Sequence, residues 1–139
     1  MENYRSYCPI NLALEVLGDK WSLVIIRDIM FTGKKHFREL LLSEEGIASN
    51  ILTDRLNMLE REAILIKKQD PLHKQKNIYS LTEKGLDLLP LIVEIGKWSL
   101  RYMPVDREKN EHAVALCEGG PKAFKAVRQK IRKEQLAER

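Results

Sequence analysis

With 139 residues, 44% of them hydrophobic and 32% charged, the chain is long enough for one domain with a real core and too short for two ordinary ones. Its net charge of +4 belongs to the tail: residues 121–139 carry seven Lys and Arg against Glu134 and Glu138, and the remaining 17 basic and 18 acidic residues nearly cancel. The basic balance therefore does not by itself argue that the domain binds nucleic acid. No apolar run approaches a membrane span, because Asp87, Pro90 and Glu94 interrupt the greasiest segment. The N-terminus lacks the basic-then-apolar layout of a signal peptide. Cys8 and Cys117 are too few for a disulfide framework, so a reducing cytoplasm is the expected setting, with no membrane contact.

Pro9 suits the first turn of a helix, which should run from about Pro9 to Leu17 and end at Gly18. Its apolar residues cover more than one face, so it needs cover from its own core and from a partner subunit. Asp19 is a good N-cap for a second helix from Lys20 to about Phe31, closed by Thr32-Gly33. Trp21 and Trp98 are expected in the core rather than in a ligand cage.

The segment from His36 to Glu62 reads as two helices joined by a tight turn. The first spans His36 to Leu42, with Phe37, Leu40 and Leu41 at helical spacing. Ser43 to Gly46 stop it, Gly46 tolerating positive φ. The second runs from about Ala48 to Glu62 and turns Ile47, Ile51, Leu52, Leu56, Met58 and Leu59 inward. Its opposite face holds Ser49, Asn50, Thr53, Asp54, Asn57 and Arg61. A small, hydrogen-bonding face of this kind suits a helix laid in the major groove; an ordinary solvated face is the plainer alternative.

Strand signals follow, Ile64 to Gln69 and Ile78 to Leu81, around a loop from Asp70-Pro71 to Asn77 that carries His73, Lys74 and Lys76. Thr82 caps a helix of about five turns reaching Met103, in which Pro90 is expected to cause a kink. The domain is thus expected over residues 1–104, followed over 105–139 by a charged linker and a basic C-terminal helix. Phe124, Val127 and Ile131 form a narrow stripe there that can dock on the domain, pair with its copy, or fray.

The order helix, helix, helix-turn-helix, hairpin, helix is that of a winged helix-turn-helix: mostly α with a small β-hairpin. Between about Tyr7 and Trp98 the chain resembles the HxlR family of bacterial transcriptional regulators. The matching residues are Cys8-Pro9, Gly18-Asp19-Lys20-Trp21, His36-Phe37 with Glu39-Leu40, Ile47, Leu52-Thr53 with Arg55-Leu56, Leu59-Glu60, Tyr79-Ser80-Leu81-Thr82, Gly85 and Trp98. The resemblance implies a homodimer, built from the first and last domain helices, that binds an inverted repeat of double-stranded DNA. Some regulators of that family sense oxidants or electrophiles through a cysteine at the place of Cys8, so the resemblance admits an oxidant, a thiol-modifying signal or a small ligand as effector; the plain alternative is that Cys8 packs as a small buried hydrophobe. Three departures stand out. Ala48 replaces a common Ser, which shifts the expected cap to Ser49. Ala63 replaces a usual Gly, at about 1 kcal/mol if that turn needs positive φ. The wing lacks the family's paired prolines.

For DNA, the candidates are Ser49, Asn50, Thr53 and Asn57 for base edges, and Lys35, His36, Arg38, Lys74 and Lys76 for phosphates. Arg55 falls within the apolar arc and should pair inward with Glu39 or Asp28, because a buried guanidinium must be paired. The resulting expectation is a sequence-specific regulator, a repressor rather than an activator. Rival readings are a metal-sensing winged helix with ligands shared between subunits, and a non-enzymatic helical adaptor. An enzyme is not expected: there is no nucleophile elbow or phosphate-binding glycine loop, and His112 with Cys117 is too sparse for zinc, so neither metal nor cofactor is implied.

Overall fold

The computed structural model describes residues 3–137. Its elements are α1 (Pro9–Leu17), α2 (Ser22–Thr32), α3 (Phe37–Leu41), α4 (Ser49–Arg61), β1 (Leu65–Gln69), β2 (Asn77–Leu81), α5 (Glu83–Leu86), α6 (Leu89–Tyr102), α7 (Glu111–Glu118) and α8 (Gly120–Gln135). The fold is a winged helix: α2, α3 and α4 gather on an antiparallel hairpin in which Leu65 faces Leu81 and Gln69 faces Asn77. The edge of β2 is extended by main chain on its outer side, where Tyr79 N–H donates to Lys35 O at 2.9 Å.

Local chemistry sets the element ends. The Asp19 carboxylate accepts from the Trp21 and Ser22 N–H groups, both at 2.9 Å, and from the Ser22 hydroxyl. It satisfies the open donors of α2, which starts at Ser22 rather than at Lys20. Gly33 closes α2 at φ 69°. Thr82 caps α5 by accepting from Gly85 N–H at 3.1 Å. The expected long helix with a kink is instead two helices, α5 and α6. Pro90 lies in the first turn of α6, where a missing N–H has no intrahelical partner to lose.

The core joins Ile25, Ile26 and Ile29 of α2 with Leu52, Leu56 and Leu59 of α4, Leu65, Leu81, Leu86 and Leu89. Leu116 and Ile131 belong to it as well, with Phe124 and Val127 packed against it. In the tail, one expectation changes and one open choice is decided. Residues 111–118, expected within a linker, form α7. The stripe on α8 docks on the domain, where Arg132 pairs with Glu83, Arg128 with Asp87 at 3.3 Å, and Ala137 N–H donates to Leu81 O at 2.8 Å. Trp98 is not core: it is 58% exposed, whereas Trp21 packs against the core.

Between α4 and β1, Ala63 adopts φ 58°, so the left-handed strain expected for a non-glycine residue is present. The joint is stitched to the adjoining end of β2, where Leu81 faces Leu65. Thr82 N–H donates to Ile64 O at 3.1 Å, its hydroxyl bonds Ala63 O, and Lys84 Nζ reaches Glu62 O at 2.7 Å. A Cβ on Gly85 would lie 2.4 Å from Ile64 O, so only glycine fits there.

The turn before α4 is clamped by charge. Arg27 grips Glu45 with two nitrogens, at 2.6 and 2.8 Å, and also bonds Asp28; Ser43 Oγ adds a bond to Glu45 at 2.9 Å. The Arg27 hydrogen bonds hold the Glu45 carboxyl down at about 2. A carboxyl lowered on folding contributes stability above its ordinary range that is lost as pH falls. Both side chains are more than a third exposed, so screening limits the effect. Glu45→Gln is expected to cost about 1 kcal/mol at pH 7. The gap to wild type should close between pH 4.5 and 2, measured by denaturant melts across that range.

Candidate DNA interface

Of the four residues expected to read bases, Ser49, Asn50, Thr53 and Asn57 all lie exposed on the outer face of α4. This follows from the burial of Leu52, Leu56 and Leu59, which fixes the rotation of the helix. Ser49 begins α4 but is not its cap; Ala48 holds that position and makes no side-chain bond. The Thr53 hydroxyl donates to Ser49 O at 3.0 Å, which commits its proton within the helix and leaves its oxygen to accept. Ile51, expected inward, is 37% exposed at the rim.

Arg55 does not pair with Glu39 or Asp28. It is half-buried, bonds Asp54 and reaches Asp19 at 3.5 Å. The Asp54 hydrogen bond and the Asp19 charge raise its already high pKa. The pairing offsets an acid on the outer face of α4, where a bare carboxylate would repel phosphates, and ties that helix to the start of α2. Asp28 instead takes Arg27 at 2.8 Å and Lys34 at 3.8 Å.

Glu39 takes His36. Its Oε1 accepts from the His36 backbone N–H at 3.0 Å and lies 2.7 Å from Nδ1, while Nε2 lies 2.8 Å from Asp70 Oδ2. Both ring nitrogens are thus taken up inside the chain, which corrects the expectation that His36 donates to a phosphate. Burial works against the Glu39 charge, but the bonds from His36 and Lys35 outweigh it and hold the carboxyl below its usual range. Lys35 and Arg38 are exposed beside the start of α3, and Lys74 and Lys76 are exposed on the wing loop. An open cleft between these two groups is lined by Arg38, Gln75, Lys76 and Asn77.

Cys8 is exposed, not packed, at the start of α1. The backbone N–H groups of Asn11 and Ile10 draw its thiol below the ordinary value. Cys117 is half-buried, with Sγ 3.7 Å from Val93 O, and burial pushes its thiol up. His112 is exposed on α7, and among the described residues no three metal-ligating side chains group together. Among those residues, no helix is long and apolar enough to cross a membrane.

A helix-turn-helix with a polar outer face beside a basic wing defines a DNA-binding regulator. Residues 16–107 match the HxlR-like helix-turn-helix family, and the chain belongs to it. The HTH-type transcriptional regulator YdeP of Bacillus subtilis is 34% identical over 98 residues, which cover 68% of this chain and 73% of YdeP. Among solved structures, PA1607 superposes with a TM-score of 0.66 at 35% identity, covering 73% of this chain and 70% of that one. The reduced form of the transcriptional regulator YodB from B. subtilis gives 0.58 at 31%, covering 70% and 95%. YodB has also been solved diamide-treated and quinone-bound. The chain is a transcriptional regulator with a helix-turn-helix DNA-binding fold.

Proposed function

We propose that the protein is a homodimeric repressor that reads an inverted-repeat operator through α4 and grips flanking phosphates through the wing. The observation that carries the reading is the face Ser49, Asn50, Thr53 and Asn57, exposed as a set, in a fold that also leaves Lys35, Arg38, Lys74 and Lys76 exposed. Asn pairs with adenine through two bonds, and Thr53, with its proton committed, suits a base donor such as the amino group of adenine or cytosine. Occupancy by a compact dimer blocks the promoter, hence repression. Asn50→Ala should cost about 1–3 kcal/mol on a duplex selected by the wild type from a random library, and little on random DNA. Lys74→Ala should weaken both duplexes and reduce the slope of log affinity against log salt by about one. Unchanged binding in both variants would sink the reading.

Assembly is supported by apolar surface that a lone chain leaves in water. Ile10 and Leu14 of α1 and Ile95, Trp98 and Tyr102 of α6 are all exposed large side chains, and α1 buries no residue of its own. Such a band is what a C2 pairing of these two helices would cover. Leu14→Asp is therefore expected to sediment as a monomer and to lose at least a hundredfold in operator affinity, since two half-sites no longer bind together. A folded Leu14→Asp dimer would place the interface elsewhere.

Cys8 is the proposed sensor. It is exposed, its thiol is drawn toward the reactive thiolate by α1 backbone N–H groups, and it precedes the helix assigned to the interface. The redox-treated structures of the similar YodB point the same way. Mild oxidation or a quinone should lower operator affinity of the wild type and leave Cys8→Ser unchanged. Equal responses, or none, would overturn the sensing role.

A further inference from the structure

His36 stands where the helix-turn-helix meets the wing. Its ring spans two carboxylates, Glu39 on α3 and Asp70 just beyond β1, at 2.7 and 2.8 Å. Asp70 is 5% exposed and is the knot of the wing loop. Its Oδ1 accepts Leu72 N–H at 2.9 Å, its N–H donates to Lys76 O at 2.8 Å, and its carbonyl accepts His73 N–H at 3.2 Å. Lys76 N–H closes back on His73 O at 2.8 Å. The loop that carries Lys74 and Lys76 is therefore wound around one residue. Beside it runs the cleft lined by Arg38, Gln75 and Lys76. The bond from His36 to Asp70 joins the start of α3 to the wing loop, alongside the main-chain bond from Tyr79 N–H to Lys35 O.

We propose that His36 is a positioning residue for DNA binding, a latch that bridges Glu39 and Asp70 and so sets where Lys74 and Lys76 stand relative to the reading face of α4. The proposal rests on the DNA-binding reading above. A loop held in place before binding does not lose its ordering entropy at the moment of contact, so its cations contribute more to affinity. The Leu72 N–H and the His36 ring hold the Asp70 carboxyl below its usual range, consistent with a charge-assisted bond at the latch. The ligand on which the latch acts is the phosphate backbone, not the base edges. It should therefore change how much the wing contributes without changing which sequence is read.

The experiment is a set of coupling cycles with one readout free of DNA. His36→Gln and Asp70→Asn are each made alone, with Lys74→Ala, and with Asn50→Ala; Asp70→Asn keeps an acceptor for Leu72 N–H if His36→Gln proves unstable. Affinity is measured for the duplex selected by the wild type at fixed salt, and amide exchange across residues 70–76 without DNA. In the wild type, Lys74→Ala should weaken binding severalfold. In either latch variant that cost should shrink to about twofold or less, while the cost of Asn50→Ala stays the same. Exchange at Leu72 and Lys76 should quicken about tenfold with the α4 amides unchanged. An undiminished Lys74→Ala cost in both latch variants, or unchanged wing exchange, overturns the proposal. Equal losses of the Lys74 and Asn50 contributions would mean general destabilisation and also overturn it. A wild type with no Lys74-dependent binding to any duplex would instead remove the DNA-binding reading, and the latch with it.

Discussion

One face of α4 is sealed in the core, and the interface depends on that burial. Leu52, Leu56 and Leu59 are at most 1% exposed, and each such leucine stabilises the folded state by roughly 1.5–3 kcal/mol. Turning the helix by one residue, about 100°, would bring all three toward water. No surface contact in the molecule is strong enough to compete with that. The outer face is thereby chosen without reference to DNA, and the small polar side chains that occupy it are displayed as a consequence of packing.

Around this fixed helix, charge does the work that hydrophobic area cannot do at a surface. Arg27 holds the turn before α4 through Glu45, and His36 ties the start of α3 to the wing. Arg55 ties α4 to the start of α2 through Asp19 and quiets Asp54 on the way. Bidentate and charge-assisted bonds are directional, so they set angles as well as distances. The apolar core decides that the elements pack, and these contacts decide at what inclination.

The periodic parts of this architecture were legible in the chain: α1, the two helices of the helix-turn-helix, both strands and the exposed Ser49, Asn50, Thr53 and Asn57. Hydrophobic spacing and caps are local signals, and they carry that far. What escaped was non-local. Arg27 meets Glu45 across 18 residues and His36 meets Asp70 across 34; nothing in a single sequence announces such partners. Arg55 was placed inward by the helical wheel, but Asp54 beside it and Asp19 were close enough to draw the guanidinium to the edge. The segment 111–118 read as linker because a short helix with one buried residue, Leu116, leaves almost no period to see. Pro90 was read as a kink because its effect depends on where a helix begins, and the break after Leu86 placed it in a first turn.

The left-handed Ala63 has a mechanical meaning. The chain leaves α4 and enters the wing through a joint loaded by about 1–2 kcal/mol of backbone strain, and the joint is held closed by Thr82 and Lys84, which follow the adjoining end of β2. A strained joint under an adjacent clasp is held at one angle. Thr82 and Lys84 thereby fix the junction from which the wing projects, so its orientation against α4 is set at the base of the hairpin rather than at its tip.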